Sequence, residues 1–143
     1  MEIKVLDEND IELLKDILEE DSNMLFNVDN IRSFMHSPNT YGFVVKNDNK
    51  VIGFAYGHGL TRPDGKIMFY LHDIGLLKEH RDKGIGSQFM KFIFEFAKNN
   101  NFSEVFLITD RGNPRACRVF EKTGLTSGIP NEICYVYEFI KES

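Results

Sequence analysis

The chain contains no tryptophan, only four prolines and only two cysteines among its 143 residues. Cys117 and Cys134 show no metal spacing, which excludes a cysteine-built zinc site and a disulfide-dense scaffold. A single disulfide stays open beside a reduced cytosolic thiol pair, which is the expected state. The four histidines (His36, His58, His72 and His80) have no ligand spacing, so no metal is expected. No apolar run reaches membrane-spanning length. The start, Met1-Glu2-Ile3-Lys4, lacks the basic and apolar regions of a signal peptide, so a cytoplasmic protein without a membrane partner is expected. An excess of positive charge is also missing. A net charge of −5 argues against a nucleic-acid partner and favours a cationic small molecule. There is no repeat, low-complexity tract or linker, and residues 1–143 read as one domain.

What is present is an ordinary core vocabulary: 42% apolar residues, 27% charged residues and thirteen phenylalanines. Ile3 to Leu6 alternates as a short strand. Asp7 to Asp10 offer N-caps for a helix whose apolar stripe is Ile11, Leu14, Ile17 and Leu18. A polar loop over Glu19 to Asn23 leads to a second short helix over Val28 to Met35. Tyr41 to Lys46 and Val51 to Gly59 read as strands joined by the turn Asn47-Asp48-Asn49. Arg62-Pro63-Asp64-Gly65 turns the chain into a long strand, Ile67 to Leu76. Ile85, Phe89, Phe92, Ile93 and Phe96 then form one continuous helical stripe. Glu104 to Thr109 reads as a buried strand. Asn113-Pro114 starts a last helix with Ala116, Val119, Phe120 and Thr123 inward. Ile133 to Ile140 reads as a final strand. Hairpins followed by alternating strands and helices imply an α/β (α+β) fold, a mixed, mostly antiparallel sheet with helices on both faces.

The chemistry concentrates where the third long strand runs into the long helix. Ile74-Gly75-Leu76-Leu77 leaves the sheet, and Arg81-Asp82-Lys83-Gly84-Ile85-Gly86 opens the helix. Glycines let backbone approach a ligand, and a helix start offers unpaired N–H groups at the positive end of its dipole. Together with Arg81 and Lys83 these make an anion site suited to a pyrophosphate. A Rossmann fingerprint fails, because Phe89 stands where its third glycine belongs. A P-loop fails as well, because Gly86-Ser87-Gln88 is not Gly-Lys-Ser/Thr.

Arg81-x-x-Gly84-x-Gly86 after a strand, then a further strand and Asn113-x-x-Ala116-x-x-x-Phe120-Glu121-Lys122-x-Gly124-Leu125, resembles the GNAT superfamily of acetyl-CoA-dependent N-acetyltransferases. Tyr70-Leu71-His72-Asp73-Ile74-Gly75-Leu76 with Glu79-His80-Arg81 is similar to the aminoglycoside 3-N-acetyltransferase branch. The resemblance implies a sheet splayed at the cofactor, after Leu76, and backbone at Ile74 and Leu76, either side of Gly75, pairing with pantetheine like an added strand. It implies that amides from Arg81 to Gly86 hold the pyrophosphate of acetyl-CoA, and that Asn113 touches the cofactor. On the residues alone Asn113 serves equally as a plain N-cap for Pro114. A homodimer is left open.

Direct transfer needs a neutral amine, and alkyl ammonium groups titrate at about 10 in water, so a carboxylate or water chain must remove a proton. Asp73, beside the pantetheine strand, is the first candidate, as base or as anchor for a cationic acceptor. His72 is the second, with the expectation that strand neighbours face opposite sides and only one lines the cleft. Glu19, Glu20 and Asp21, with Asp29, offer an anionic mouth for a polycation, or else a solvated loop. GNAT enzymes commonly carry a tyrosine general acid where this chain has Phe120. Tyr135, Tyr137 and Cys117 are the substitutes at hand, and none is assigned. A domain that binds acyl-CoA without catalysis, as a sensor or interaction module, is the alternative.

Overall fold

The computed structural model describes residues 1–127 and 133–139. Five strands, β1 (Glu2–Val5), β2 (Thr40–Asn47), β3 (Lys50–Thr61), β4 (Ile67–Leu76) and β5 (Glu104–Phe106), form one sheet in chain order. β1 to β4 are antiparallel neighbours, and β5 joins β4 in parallel. The β2–β3 hairpin closes through Asp48 and Asn49, both at positive φ (48° and 64°), which short polar side chains tolerate and a right-handed twist favours.

Among the described residues four α-helices flank the sheet: α1 (Lys15–Glu20), α2 (Val28–His36), α3 (Ile85–Asn99) and α4 (Pro114–Lys122). The first helical stretch begins as a 3-10 turn over Glu8–Leu14 before continuing as α1. Its stripe of Ile11, Leu14, Ile17 and Leu18 is buried, as the periodicity predicts. Asp7 and Asp10 form a capping box: Asp7 accepts from the Asn9 amide, and Asp10 accepts from the Asp7 amide. Asp10 does more than cap. It is completely buried, and its two carboxylate oxygens lie 3.0 Å from Lys4 Nζ and from Lys46 Nζ, tying the 3-10 turn to β1 and β2.

α3 buries Phe89, Met90, Ile93 and Ala97 against the sheet face carrying Phe43, Phe69 and Leu71. Phe43 and Phe96 meet edge to face at 5.0 Å. On the opposite face Phe34 of α2 packs edge-on against Tyr56 of β3.

Two strands differ from expectation. β5 ends at Phe106 instead of Thr109, its ladder with β4 running only from Met68 to Tyr70. Beyond them Ile108 is exposed, so this segment is not the buried strand its apolar run suggests. Ile133 to Phe139 forms no strand, and its large apolar side chains are exposed; Ile140, the last residue of the expected strand, lies outside the described residues. Cys117 and Cys134 are both free thiols. Among the described residues no helix is long and apolar enough to cross a membrane, and no group of His, Cys, Asp and Glu could hold a metal ion.

Candidate active site

The ladder between β4 and β5 stops at Tyr70, so Leu71 to Leu76 continues without β5 beside it. The sheet therefore splays earlier than the expected point after Leu76. The opening is a cleft of about 410 Å³ lined by the end of β4, the start of α3 and the first two turns of α4.

The floor comes from β4. A bulge explains its layout: Tyr56 stands opposite Asp73 while Gly57 stands opposite Leu71, which leaves His72 as the extra residue. A Cβ at Gly57 would collide with the Tyr70 carbonyl and the Phe69 ring, so this irregularity is built on glycine. Because of the bulge His72 and Asp73 share one face. Asp73 is the register partner of Tyr56, and the His72 ring lies 5.0 Å from the Tyr56 ring. Strand alternation therefore does not separate them, but only Asp73 lines the cleft, as expected; His72 is exposed outside it. Tyr56, His58, Tyr70, His72 and Phe106 form a continuous row of rings on this face. Burial, reinforced by neighbouring His72, pushes the His58 imidazole below its ordinary value, which favours its neutral form.

The wall comes from the loop before α3. Asp82 (φ 62°) and Gly84 (φ 82°) both take the left-handed conformation, and Gly84 is the N-cap with no side-chain cap bond. A 15-residue helix thus starts at the cleft without a capping side chain. Gly86 is informative. It sits in the first turn, where glycine costs about 1 kcal/mol relative to alanine. Yet a Cβ there would stand 3.6 Å from Val119, an ordinary contact. The protein's own packing gives no reason for this glycine; a ligand lying against the helix start does. Arg81, Asp82, Gly84, Gly86 and Asn113 line the cleft, whereas Lys83 is exposed beside it and Ile85 packs against the core. Asn113 accepts from the Ala116 amide at 3.2 Å and so caps α4 while lining the cleft.

The lip comes from the end of α1. Glu19 and Glu20 are exposed and do not line the cleft, and Asp29 lies beside Arg32 at the surface. Only Asp21 turns inward, its carboxylate lying directly over Gly75, where a Cβ would overlap it. Arg81 Nη2 donates to Asp21 Oδ1 at 2.5 Å, and Arg81 Nε donates to the Leu76 carbonyl at 3.0 Å. Burial raises the Asp21 carboxyl above its ordinary value; the Arg81 guanidinium opposes this, and neighbouring Asp73 adds to it. Arg115 also lines the cleft, a cation that sequence reading passed over because its helix reads as amphipathic packing. Phe120 lines it without a polar group, and Tyr135, Tyr137 and Cys117 do not line it.

A splayed sheet, a bare helix start facing the opening and carboxylates beside it give the cleft the chemistry that a phosphate group and a cation would need. The model of the acetyltransferase (GNAT) family matches residues 11–125, and the chain belongs to that family. It is 28% identical over 97 residues to a probable N-acetyltransferase, camello, of Xenopus laevis, covering 68% of this chain and 43% of that protein. The Xenopus tropicalis counterpart is 27% identical over 93 residues, or 65% and 42%. The matched stretch thus spans less than half of these relatives. Among solved structures, an aminoglycoside acetyltransferase from an uncultured soil metagenomic sample, in complex with sisomicin, superposes with a TM-score of 0.81. It is 22% identical, with 98% of this chain and 96% of that chain covered. A ribosomal-protein-alanine N-acetyltransferase from Brucella melitensis biovar Abortus 2308 gives 0.78 at 18% identity, covering 97% and 100%. At such identities the likeness is one of fold.

Proposed function

We propose that the chain is an acetyl-CoA-dependent N-acetyltransferase that passes an acetyl group directly to a primary amine of a cationic small molecule, aminoglycoside-like compounds included. The observation that carries this reading is the meeting, in one cleft, of a β4 edge left by β5, a bare helix start and two carboxylates. Backbone at Ile74 and Leu76 would take the pantetheine arm, amides from Arg81 to Gly86 the pyrophosphate, and an N–H near Leu76 the developing oxyanion. Asp73 would face the ammonium group. The fold neighbour in complex with sisomicin supports an amine acceptor, and membership of the acetyltransferase (GNAT) family supports acetyl-CoA.

Phe120 in the cleft favours one other reading, an acyl-CoA-binding module without turnover. A free thiol titrates near about 8.5, so the thiolate leaves tolerably without an acid, at a cost of about 10²-fold. A panel of aminoglycosides, polyamines, amino acids and peptides with acetyl-CoA, read as thiol release, separates the two. Amine-stimulated release that falls in Asp73→Asn, with acetyl-CoA binding kept, supports the enzyme. Binding of acetyl-CoA with no amine-stimulated release leaves the module.

A further inference from the structure

The cleft contains a carboxylate held in an unusual way. Asp21 comes from the end of α1, far in sequence from β4, and lies on Gly75 at the one point where that strand has no side chain to keep it away. Its cationic partner, Arg81, belongs to the loop that lines the helix start and also holds the Leu76 carbonyl. The same guanidinium therefore covers a carboxylate and a backbone acceptor of the splayed strand. A phosphate group arriving at the start of α3 competes for that guanidinium with a stronger, bidentate-capable partner.

We infer that Asp21 is the proton acceptor for the substrate amine, uncovered when Arg81 turns from it to the pyrophosphate. The inference rests on the acetyltransferase reading above. Asp73, on the β4 floor of the same cleft, then anchors the ammonium group and Asp21 deprotonates it. The ammonium passes one proton to the Asp21 carboxylate. The freed lone pair forms the C–N bond to the thioester carbon while the carbonyl π pair moves to oxygen. Re-formation of C=O breaks the C–S bond, and the sulfur leaves with its electron pair. The second proton of the nitrogen neutralises that thiolate, and Asp21 returns the first to water. One ammonium and one thioester give one amide, one thiol and one proton.

The surroundings suit the role. Asp21 is faced by Arg81 from the α3 loop, by Asp73 from β4 and by Arg115 from α4. Burial already favours its protonated form, and departure of Arg81 removes an opposing cation, which moves a carboxylate towards the pH at which a base works well. Two neighbouring carboxylates with different surroundings divide the work, one staying ionised and one trading a proton.

The test uses Asp21→Asn, Asp21→Glu and Gly75→Ala in the full chain. Acetyl-CoA affinity is measured by calorimetry, and thiol release is followed from pH 5 to 9 with the best amine of the panel. Asp21→Asn should lose at least about 10²-fold in kcat and lose the acid limb of the wild-type profile, while acetyl-CoA still binds within a few-fold. Asp21→Glu should recover part of the rate and the limb. Gly75→Ala keeps every charge but pushes the carboxylate off the strand, and should slow release about tenfold or more; it keeps the inference testable where Asp21→Asn fails to fold. Wild-type kcat and limb in Asp21→Asn, or in Gly75→Ala if that variant alone folds, overturns the inference. So does a rise confined to the amine KM. Absence of turnover in wild type with every amine overturns the acetyltransferase reading and this inference together, whereas active wild type with an indifferent Asp21 overturns only the inference.

Discussion

Single glycines say most about what the cleft is for. Gly84 is fixed by geometry, since φ of 82° strains any side-chain-bearing residue whether or not a ligand is present. Gly86 is not, because it has room for a methyl group. Gly86→Ala should therefore act with opposite signs on two measurements. Stability should rise by about 0.5–1 kcal/mol, read from urea unfolding of the unliganded protein. Acetyl-CoA affinity should fall, because the methyl group stands where the ligand approaches the amides. A variant that gains stability and binds acetyl-CoA as tightly as wild type would remove Gly86 from the binding loop. This loop was legible in the sequence, because glycines and a helix stripe following a strand are local signals. Asp21 was legible only as one member of an acidic run. Nothing in Glu19-Glu20-Asp21 says which carboxylate turns inward; that depends on Gly75 and Arg81, more than fifty residues away.

The elements were mostly readable from period and turn chemistry, and the exceptions have one cause, partners distant in sequence. The β4 bulge at His72 arises from pairing with β3, so alternation along β4 alone wrongly separates His72 from Asp73. β5 ends at Phe106, where it parts from β4, although Leu107 and Ile108 continue the apolar run. Asp10 belongs to the same group. It reads as a cap, yet it is the buried anchor joining the 3-10 turn to β1 and β2 through Lys4 and Lys46. Asp10→Ala removes the carboxylate that Lys46 faces and leaves Lys4 with Asp7 alone. Each lysine keeps some access to water, so a loss of about 2–4 kcal/mol is expected, at the lower side of breaking a buried pair. Burial raises the Asp10 carboxyl, but the Asp7 amide and the two lysines outweigh it and hold the group below its ordinary value. A depressed carboxylate contributes stability that is complete above its unfolded value, near 4, and is lost as pH falls through the folded value. Thermal melts of wild type should therefore drop below about pH 4, and Asp10→Ala should flatten that drop. A variant with the wild-type acid slope would show that the anchor does not govern acid stability.

At the scale of the whole molecule the charge pattern bears differently on the two substrates of the proposed reaction. A net charge of −5 repels an anion such as acetyl-CoA at long range and attracts a cationic amine. In the proposed reaction acetyl-CoA would rely on a local field, which Arg81, Arg115 and the bare start of α3 are placed to supply inside the cleft. A cationic acceptor could use both the distant field and the two carboxylates of the cleft, Asp21 and Asp73. Screening separates these contributions, since the Debye length is about 10 Å at 0.1 M salt and about 3 Å at 1 M. With acetyl-CoA saturating, the KM of a polycationic acceptor should climb steeply as salt rises over that range. A monoamine with the same reacting group should show a shallower climb, and kcat should change little for either. Asp73→Asn should flatten the polycation's slope, because it removes one carboxylate of the cleft while leaving most of the long-range field. Equal salt slopes for the polycation and the monoamine would mean that the acceptor is recognised by shape along the row of rings from Tyr56 to Phe106. The acidic balance of the chain would then play no part in choosing it.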